Sequence, residues 1–410
     1  MKTRLTALLL VLLCLTGCGG SPGSARALTE TVTAKAPAAR ELTEEDAAAL
    51  AEFSVELLKE EWEGEGVLLS PLSVLSALGM TAGGAAGETL RQMEEVLGLP
   101  AEELAAALAA WTAGLPEGEG CRVDLANSLW LRDDGTFEPD RAFLRTAAER
   151  YGAEVYASPF DGAAVEEING WVEEETHGMI DGILEEIPEA AMLYLVNALA
   201  LEARWETVYR EDQVRDGRVF TTEDGREQAA AMMYSSEGHY LKDERAQGFL
   251  KYYEGGRWAF AALLPDEGVR LEELIASLTG ERLRAILGGA EETLVYAAIP
   301  KFRCAYSAEL SGSLEAMGMT DAFDMGKADF SGMGRSPTGP LFISKVLHKT
   351  YLSVDEEGTR AGAATAVEMA SGGTMPGTVP EVYLDRPFLY MLVDTETCLP
   401  AFIGAVTGME

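Results

Sequence analysis

Cysteine and histidine are scarce in this 410-residue chain, with five of the first and three of the second. Cys14 and Cys18 lie near the N-terminus, which leaves Cys121, Cys304 and Cys398 for the body. These show no CxxC and no metal-ligand spacing, so at most one disulfide is possible and a disulfide framework is excluded. Basic residues are few as well: 32 Lys and Arg stand against 68 Asp and Glu, a formal charge of −36. Such an excess repels phosphate backbones and anionic headgroups, which argues against nucleic-acid binding and for a soluble, self-repelling body. The apolar run from Leu5 to Leu15 is too short for a permanent membrane span.

Catalytic constellations are missing too. A hydrolase needs a nucleophile with a base, and only His177, His239 and His348 offer one. There is no HExxH, no P-loop and no Rossmann glycine fingerprint. Gly19-Gly20-Ser21-Pro22-Gly23 fits the nucleophile-elbow pattern, but that pattern requires a strand-to-helix turn, and here it sits in a Gly/Ser/Pro-rich tether. His348 is in phase with Val346, Thr350, Leu352 and Val354, hence on the apolar face of a strand, where a lone His is more often hydrogen-bonded core than catalyst. No metal and no cofactor is expected.

Hydrophobic residues make up 47% of the chain, ample for one large core, and no internal repeat or second composition regime follows residue 45. Lys2 and Arg4 before the Leu5–Leu15 run have the layout of a signal peptide. Leu15-Thr16-Gly17-Cys18 resembles the bacterial lipobox, which implies removal of residues 1–17 and lipidation of Cys18. Residues 18–41 then read as lipidated Cys plus a flexible tether spanning about 25 Å, and 42–410 as a single domain. The implied location is extracellular: a bacterial surface lipoprotein, or a secreted protein.

Thr43-Glu-Glu-Asp46 has capping-box character and opens a helix to about residue 60. Ser70 before Pro71 starts another, with Ser73 in its first turn. Further helices are predicted near 87–97, 101–113, 139–152, 164–176 and 270–286. Strands are predicted at 124–131, 192–201, 258–264, 293–302, 342–354, 387–394 and 400–407. Helices early and strands late indicate α+β rather than a βαβ series.

One stretch fits neither class. Asp355 to Ala366, DEEGTRAGAATA, runs an acidic turn into very small residues. Thr359, Ala361, Ala363, Thr365, Val367 and Met369 alternate with a second phase that holds Arg360 and Glu368, as in a strand with one buried face. The same Ala-rich residues favour helix equally, and Gly358 and Gly362 weaken both states, so the segment reads as able to change conformation.

That stretch resembles the reactive-centre loop of the serpins, and the likeness extends along the chain. LLSPLSVLSALGMTAGGAAGETLRQM from Leu68, NSLWL from Asn127, INGWVEEETHGMI from Ile168 and YLVNALALEARWE from Tyr194 resemble family blocks in family order. So do FAALLPDEG from Phe260, IPKF from Ile299, LHKTYLSVDEEGT from Leu347 and RPFLYMLVDTETCLPAFIGAV from Arg386. The resemblance covers roughly residues 45–408. It implies a helical cluster around three mainly antiparallel or mixed sheets, with an exposed loop at about 356–381.

It also implies roles. Glu356, Glu357, Gly358, Thr359, Ala361, Ala363 and Thr365 match the loop hinge. Ser70, Ser73, Asn197 and His348 match the "shutter", a buried polar cluster where the central sheet parts, and Trp205 matches the "breach", where insertion begins. The implied activity is suicide inhibition of a serine protease: loop cleavage, an acyl-enzyme, then strand insertion by a monomer that touches membrane only through Cys18. Arg360 departs from the acid usual at its place. Family spacing counted from Gly358 ends at Gly372, and counted back from Arg386-Pro387-Phe388 ends at Pro376. Thr374-Met375 is the favoured scissile bond, with Met369 and Met375 in reserve. No Lys or Arg lies between Ala361 and Arg386, which disfavours trypsin-like targets against elastase-, subtilisin- or chymotrypsin-like ones. A non-inhibitory surface binding protein of the same fold is the alternative.

Overall fold

A computed structural model describes residues 25–30, 40–118, 120–133, 137–178, 180, 182–336, 339–359 and 379–409. Its strands of functional weight are, in chain order, β1 (Arg26–Ala27), β2 (Cys121–Arg132), β3 (Glu154–Ser158), β4 (Leu193–Arg204), β5 (Val214–Thr221) and β6 (Glu227–Glu237). They continue with β7 (Val295–Pro300), β8 (Phe302–Glu309), β9 (Lys345–Val354), β10 (Gly358–Thr359) and β11 (Glu381–Tyr383).

The main sheet has the order β1-β3-β2-β4-β10-β9-β8. A second, four-stranded sheet runs β11-β7-β6-β5. The third is built from His239–Lys242, Ala246–Tyr252, Trp258–Pro265, Phe388–Asp394, Leu399–Val406 and Val67–Leu69 in that order. These three sheets, a small two-stranded one of Glu138–Pro139 with Gly334–Arg335, and the helices packed around them make the expected α+β architecture.

Local chemistry sets the helix ends. Thr43 caps α1 (Glu44–Glu61): its hydroxyl accepts from the Asp46 amide, while the Asp46 carboxylate accepts from the Thr43 amide, the reciprocal box read from the sequence. Ser70 caps α2 (Pro71–Ala82) by accepting from the Ser73 amide at 3.3 Å, with Pro71 at the first helical position. α3 (Gly87–Leu97) stops at Gly98, whose φ of 76° only glycine adopts without strain. α4 (Ala101–Thr112), α5 (Arg141–Tyr151) and α6 (Ala164–Glu175) also lie where predicted.

The single helix expected over 270–286 is two, α7 (Leu271–Ser277) and α8 (Gly280–Gly288). Thr279 is extended and accepts from the Arg282 amide, a cap that forces the break. The strand expected at 293–302 likewise divides into β7 and β8. α9 (Ser311–Met317) and the strands between Val214 and Tyr252 were not anticipated.

The tether expected to run through residue 41 also differs. Arg26 and Ala27 pair with Ala157 and Tyr156 as an added edge strand, Leu28 is buried, and the Leu28 amide donates to the Val155 carbonyl at 2.7 Å. The Arg26 guanidinium meets Asp133 at 3.0 Å. An exposed edge offers unpaired backbone groups, and this segment covers it.

Every residue of α2 is buried, and its contacts reach both the main sheet and the Leu399–Val406 strand. α6 covers the outer face of the main sheet. Ile168, Trp171 and Val172 share a cluster with Tyr194 and Val196 of β4 and Leu347 of β9. The helix thus bridges the two strands between which the sheet is divided.

Candidate functional site

The division lies between β4 and β9. These strands pair in parallel only from Lys345–Tyr194 to His348–Asn197. Higher up, β10 is wedged between them: Gly358 pairs with Arg204, and Thr359 pairs with Ala203 on one side and Val354 on the other. Among the described residues, no pairing joins Ala198–Glu202 to Lys349–Ser353. A strand added there would complete a ladder already begun at its top and closed at its bottom.

The top holds the hinge through backbone donors. The Trp205 amide donates to the Glu357 carbonyl at 3.0 Å, the Tyr209 amide to Glu356 at 2.9 Å, and the Trp205 indole to Asp355 at 2.9 Å. Trp205 is fully buried, stacked on Tyr253 with centroids 4.6 Å apart, and the Lys251 ammonium lies 5.3 Å from its ring. Lys251 is itself buried and paired with Glu237 at 3.0 Å. Thr359 points inward at 1% exposure, its hydroxyl 2.6 Å from that of Tyr253, as the alternation in the sequence requires. Lys301 pairs with Glu356 at 2.6 Å and holds its carboxyl below the usual range.

The bottom holds a buried polar cluster. The Ser70 amide donates to His348 Nε2 at 3.1 Å, and the Asn197 amide group donates to Asn127 Oδ1 at 2.7 Å. Desolvation alone pulls the His348 pKa down to about 4, so the ring is neutral and accepts at Nε2. Ser73 Oγ, Asn127 Nδ2, Asn197 Oδ1 and His348 Nδ1 are buried without a protein partner among the described residues. A buried polar group left unmet costs about 1–3 kcal/mol, so these four atoms make the cluster a polar point in an otherwise apolar sheet where any added strand must supply or preserve partners.

The structure therefore brings Ser70, Ser73, Asn197 and His348 together, and Trp205 with Glu356, Glu357, Gly358 and Thr359. It keeps the two groups apart along β4: Trp205 lies eight positions beyond Asn197, about 26 Å of strand. Ala361, Ala363, Thr365, Met369, Gly372, Thr374, Met375 and Cys18 lie outside the described residues. Asn127, Tyr209, Lys251, Tyr253 and Lys301 complete the two clusters and were not singled out from the sequence. The usable signals were an Asn inside an apolar strand and a Lys in the IPKF block.

No disulfide joins Cys121, Cys304 and Cys398 to one another, and burial pushes the Cys121 thiol up to about 12. No group of three or more His, Cys, Asp or Glu that could hold a metal occurs among the described residues. No helix among them is long and apolar enough to cross a membrane.

Residues 48–409 match the family model described as Serpin (serine protease inhibitor). An uncharacterized serpin-like protein of Thermococcus kodakarensis is 32% identical over 369 residues, covering 87% of this chain and 84% of that one. The leukocyte elastase inhibitor of Equus caballus is 30% identical over 373 residues, 86% of this chain and 96% of its own. The fold superposes on the native state of the thermophilic serpin Tengpin with a TM-score of 0.89 at 41% identity, covering 94% of this chain and all of that one. Against the latent state of Tengpin the TM-score is 0.80.

Proposed function

Because this chain belongs to the serpin family, we propose that it is an inhibitor of serine endopeptidases that acts once, as a suicide substrate. The observation that carries this reading is β10: the first two residues of the loop arm already stand between β4 and β9, in line with the unpaired stretch below them.

In the proposed reaction, the protease serine Oγ attacks the scissile carbonyl. The C–N bond breaks, the new amine takes the proton and leaves on the C-terminal fragment, and the loop's N-terminal arm remains as an ester on the enzyme. Residues from Arg360 to about Met369 then extend β10 down the division. If ten to twenty new backbone bonds contribute about 1 kcal/mol each, insertion releases on the order of 10–20 kcal/mol. Inhibition follows if the attached protease is dragged and distorted before water cleaves the ester. The small inward residues Thr359, Ala361, Ala363 and Thr365 favour that speed, having no bulk or charge to desolvate.

We place the scissile bond at Thr374-Met375 and the target among elastase-, subtilisin- or chymotrypsin-like enzymes, on the absence of Lys and Arg in that arm. The molecule is proposed to work as a monomer at a bacterial surface, anchored by lipid on Cys18. With Ala25 tied to Glu167 of α6 at 3.0 Å, the six residues between Cys18 and Ala25 separate anchor from body, a reach of at most about 25 Å. The deciding experiment is incubation with those three protease types, denaturing electrophoresis, and mass spectrometry of the released C-terminal peptide. A complex stable to denaturant is expected. Complete loop cleavage with every enzyme left active would defeat the reading.

A further inference from the structure

An arm made of small residues has a problem of register. Ala361, Ala363 and Thr365, the inward residues after Thr359, are nearly alike in size, so packing alone does not tell one rung of the division from the next. A slip of two residues would keep every side chain on its own face yet leave the strand at the wrong depth. The mark that sets the depth has to lie on the outward face.

The pairings of β10 fix where each later residue arrives. Gly358 faces Arg204 and Thr359 faces Ala203, so residue 360 comes opposite Glu202 and each following residue meets the next one back along β4. On the other side Thr359 faces Val354, which brings residue 360 to Ser353 and residue 368 to Lys345. Between Thr359 and Pro380 the chain carries two charges, Arg360 and Glu368. The ladder sets the first beside Glu202, the single acid of β4, and the second beside Lys345. Both partners belong to the outward phase. Thr359, Ala203 and Val354 are buried together, whereas Glu202 is exposed, and Tyr194 and Leu347, in phase with Glu202 and Lys345, pack against α6. Arg122 of β2 faces Glu202 from the far side, which leaves the carboxylate one flank for each guanidinium.

We propose that Glu202 and Lys345 are positioning residues that fix the register of the inserted arm, by pairing with Arg360 and Glu368 respectively. The inference rests on the function proposed above. It also gives a reason for the basic residue at 360, since β4 offers an acid at that rung. Two residues shallower, Arg360 would meet Arg204 and Glu368 would meet Leu347; two residues deeper, they would meet Ala200 and Ile343. One depth alone matches both charges, and opposite charges directly across a ladder stabilise it while like charges oppose it. The pairs form in order. The Glu202 rung lies directly below β10 and is reached first, and the Lys345 rung opens last, because Lys345 to His348 pair with Tyr194 to Asn197 until the strands part.

Charge reversal in the full chain tests the pairing against subtilisin, pancreatic elastase and chymotrypsin. Arg360→Glu should leave the rate of loop attack and the melting temperature of the intact protein unchanged, while the ratio of covalent complex to released, cleaved protein falls about fivefold. Glu202→Arg should lower that ratio similarly, and the double variant Arg360→Glu/Glu202→Arg should recover most of it. Glu368→Lys, Lys345→Glu and their double variant should repeat the pattern. The losses should shrink at about 1 M salt, where exposed charges are screened. A second readout needs no inhibition: after loop clipping, Arg360→Glu should melt about 2 °C below clipped wild type. Ratios within about twofold of wild type in every single variant, or single losses that the double variants do not recover, would overturn the pairing. If clipped wild type gains melting temperature but traps no protease, the inhibitor reading fails and the pairing is decided by melting alone. If it gains none, the arm has no place in the sheet and both fall.

Discussion

Gly358 has no room for a side chain. A Cβ built there would fall 2.0 Å from the Ala203 carbonyl oxygen and 2.8 Å from the Arg204 Cα, both main-chain atoms that cannot rotate away. Gly358→Ala must therefore push β10 out of its place or deform β4, an overpacking penalty of about 1–3 kcal/mol that a denaturant titration of the intact protein measures. Glu356 presents the opposite case. Its pair with Lys301 is more than a third exposed on the carboxylate side, so it contributes at most about 1 kcal/mol, and three hydrogen bonds from Trp205 and Tyr209 hold the same segment. Glu356→Gln should shift the denaturation midpoint much less than Gly358→Ala, and an equal shift would show that the ion pair, not the backbone, holds the hinge. Thr359 lies between these: buried against Tyr253, it leaves no space for a charge. Thr359→Arg should still be cleaved by a target protease but should not insert, so that the covalent band disappears from a denaturing gel and active enzyme remains. A persistent band would refute the assignment of Thr359 to the inward phase of insertion.

At the scale of elements, the closed end of the division depends on one neutral ring. His348 accepts from the Ser70 amide, and protonation would replace that acceptor with a donor facing a donor. Its pKa is about 4 in the native state against about 6.5 when unfolded, so between these values the unfolded chain binds a proton that the native chain refuses. The stabilisation is complete above pH 6.5 and declines as pH falls toward 4, by roughly 3 kcal/mol in all. Stability measured from pH 7 to pH 4 should fall more steeply in wild type than in His348→Gln, and parallel curves would remove His348 as the titrating group. How far this was legible from sequence depends on where each element gets its order. α1 and α3 carry their own ends, Thr43 with Asp46 for one and Gly98 for the other. β5 has six of its eight residues half-buried or exposed before Phe220, with no alternation to read, and its register comes from β6 alone. The hinge clamp is harder still, because Trp205 meets Asp355 across 150 residues and Tyr253 meets Thr359 across 106. Family blocks pointed to Trp205, but Lys251 and Tyr253, which lie against its ring, belong to a strand and its end that the sequence alone did not reveal.

For the whole molecule, the proposed function requires a fold stopped short of its most stable pairing, and the described strands leave room for one more. β4 and β9 are held apart above His348, capped by two loop residues at the top and bridged over the face by α6, whose following segment is tied across by the Lys349 ammonium to the Gly182 carbonyl at 2.6 Å. Intact, the loop is anchored at both ends, by β10 in the main sheet and by β11 beside β7, so it cannot travel down the division without giving up one anchor. Cutting it once removes that restraint and leaves the rest of the chain unchanged. A gain on the order of 10–20 kcal/mol, spread over the unfolding entropy of some 360 residues, corresponds to a rise in melting temperature of roughly 15–25 °C. Limited proteolysis between residues 360 and 378, followed by thermal unfolding of the purified clipped protein, measures it directly. The Thr359→Arg protein, cut in the same place, should show little of the rise, because its arm is excluded from the sheet. If clipped wild type melts with the intact protein and its arm remains open to further proteolysis, the division between β4 and β9 stores no usable energy and the family's alternative role as a binding fold becomes the reading to pursue.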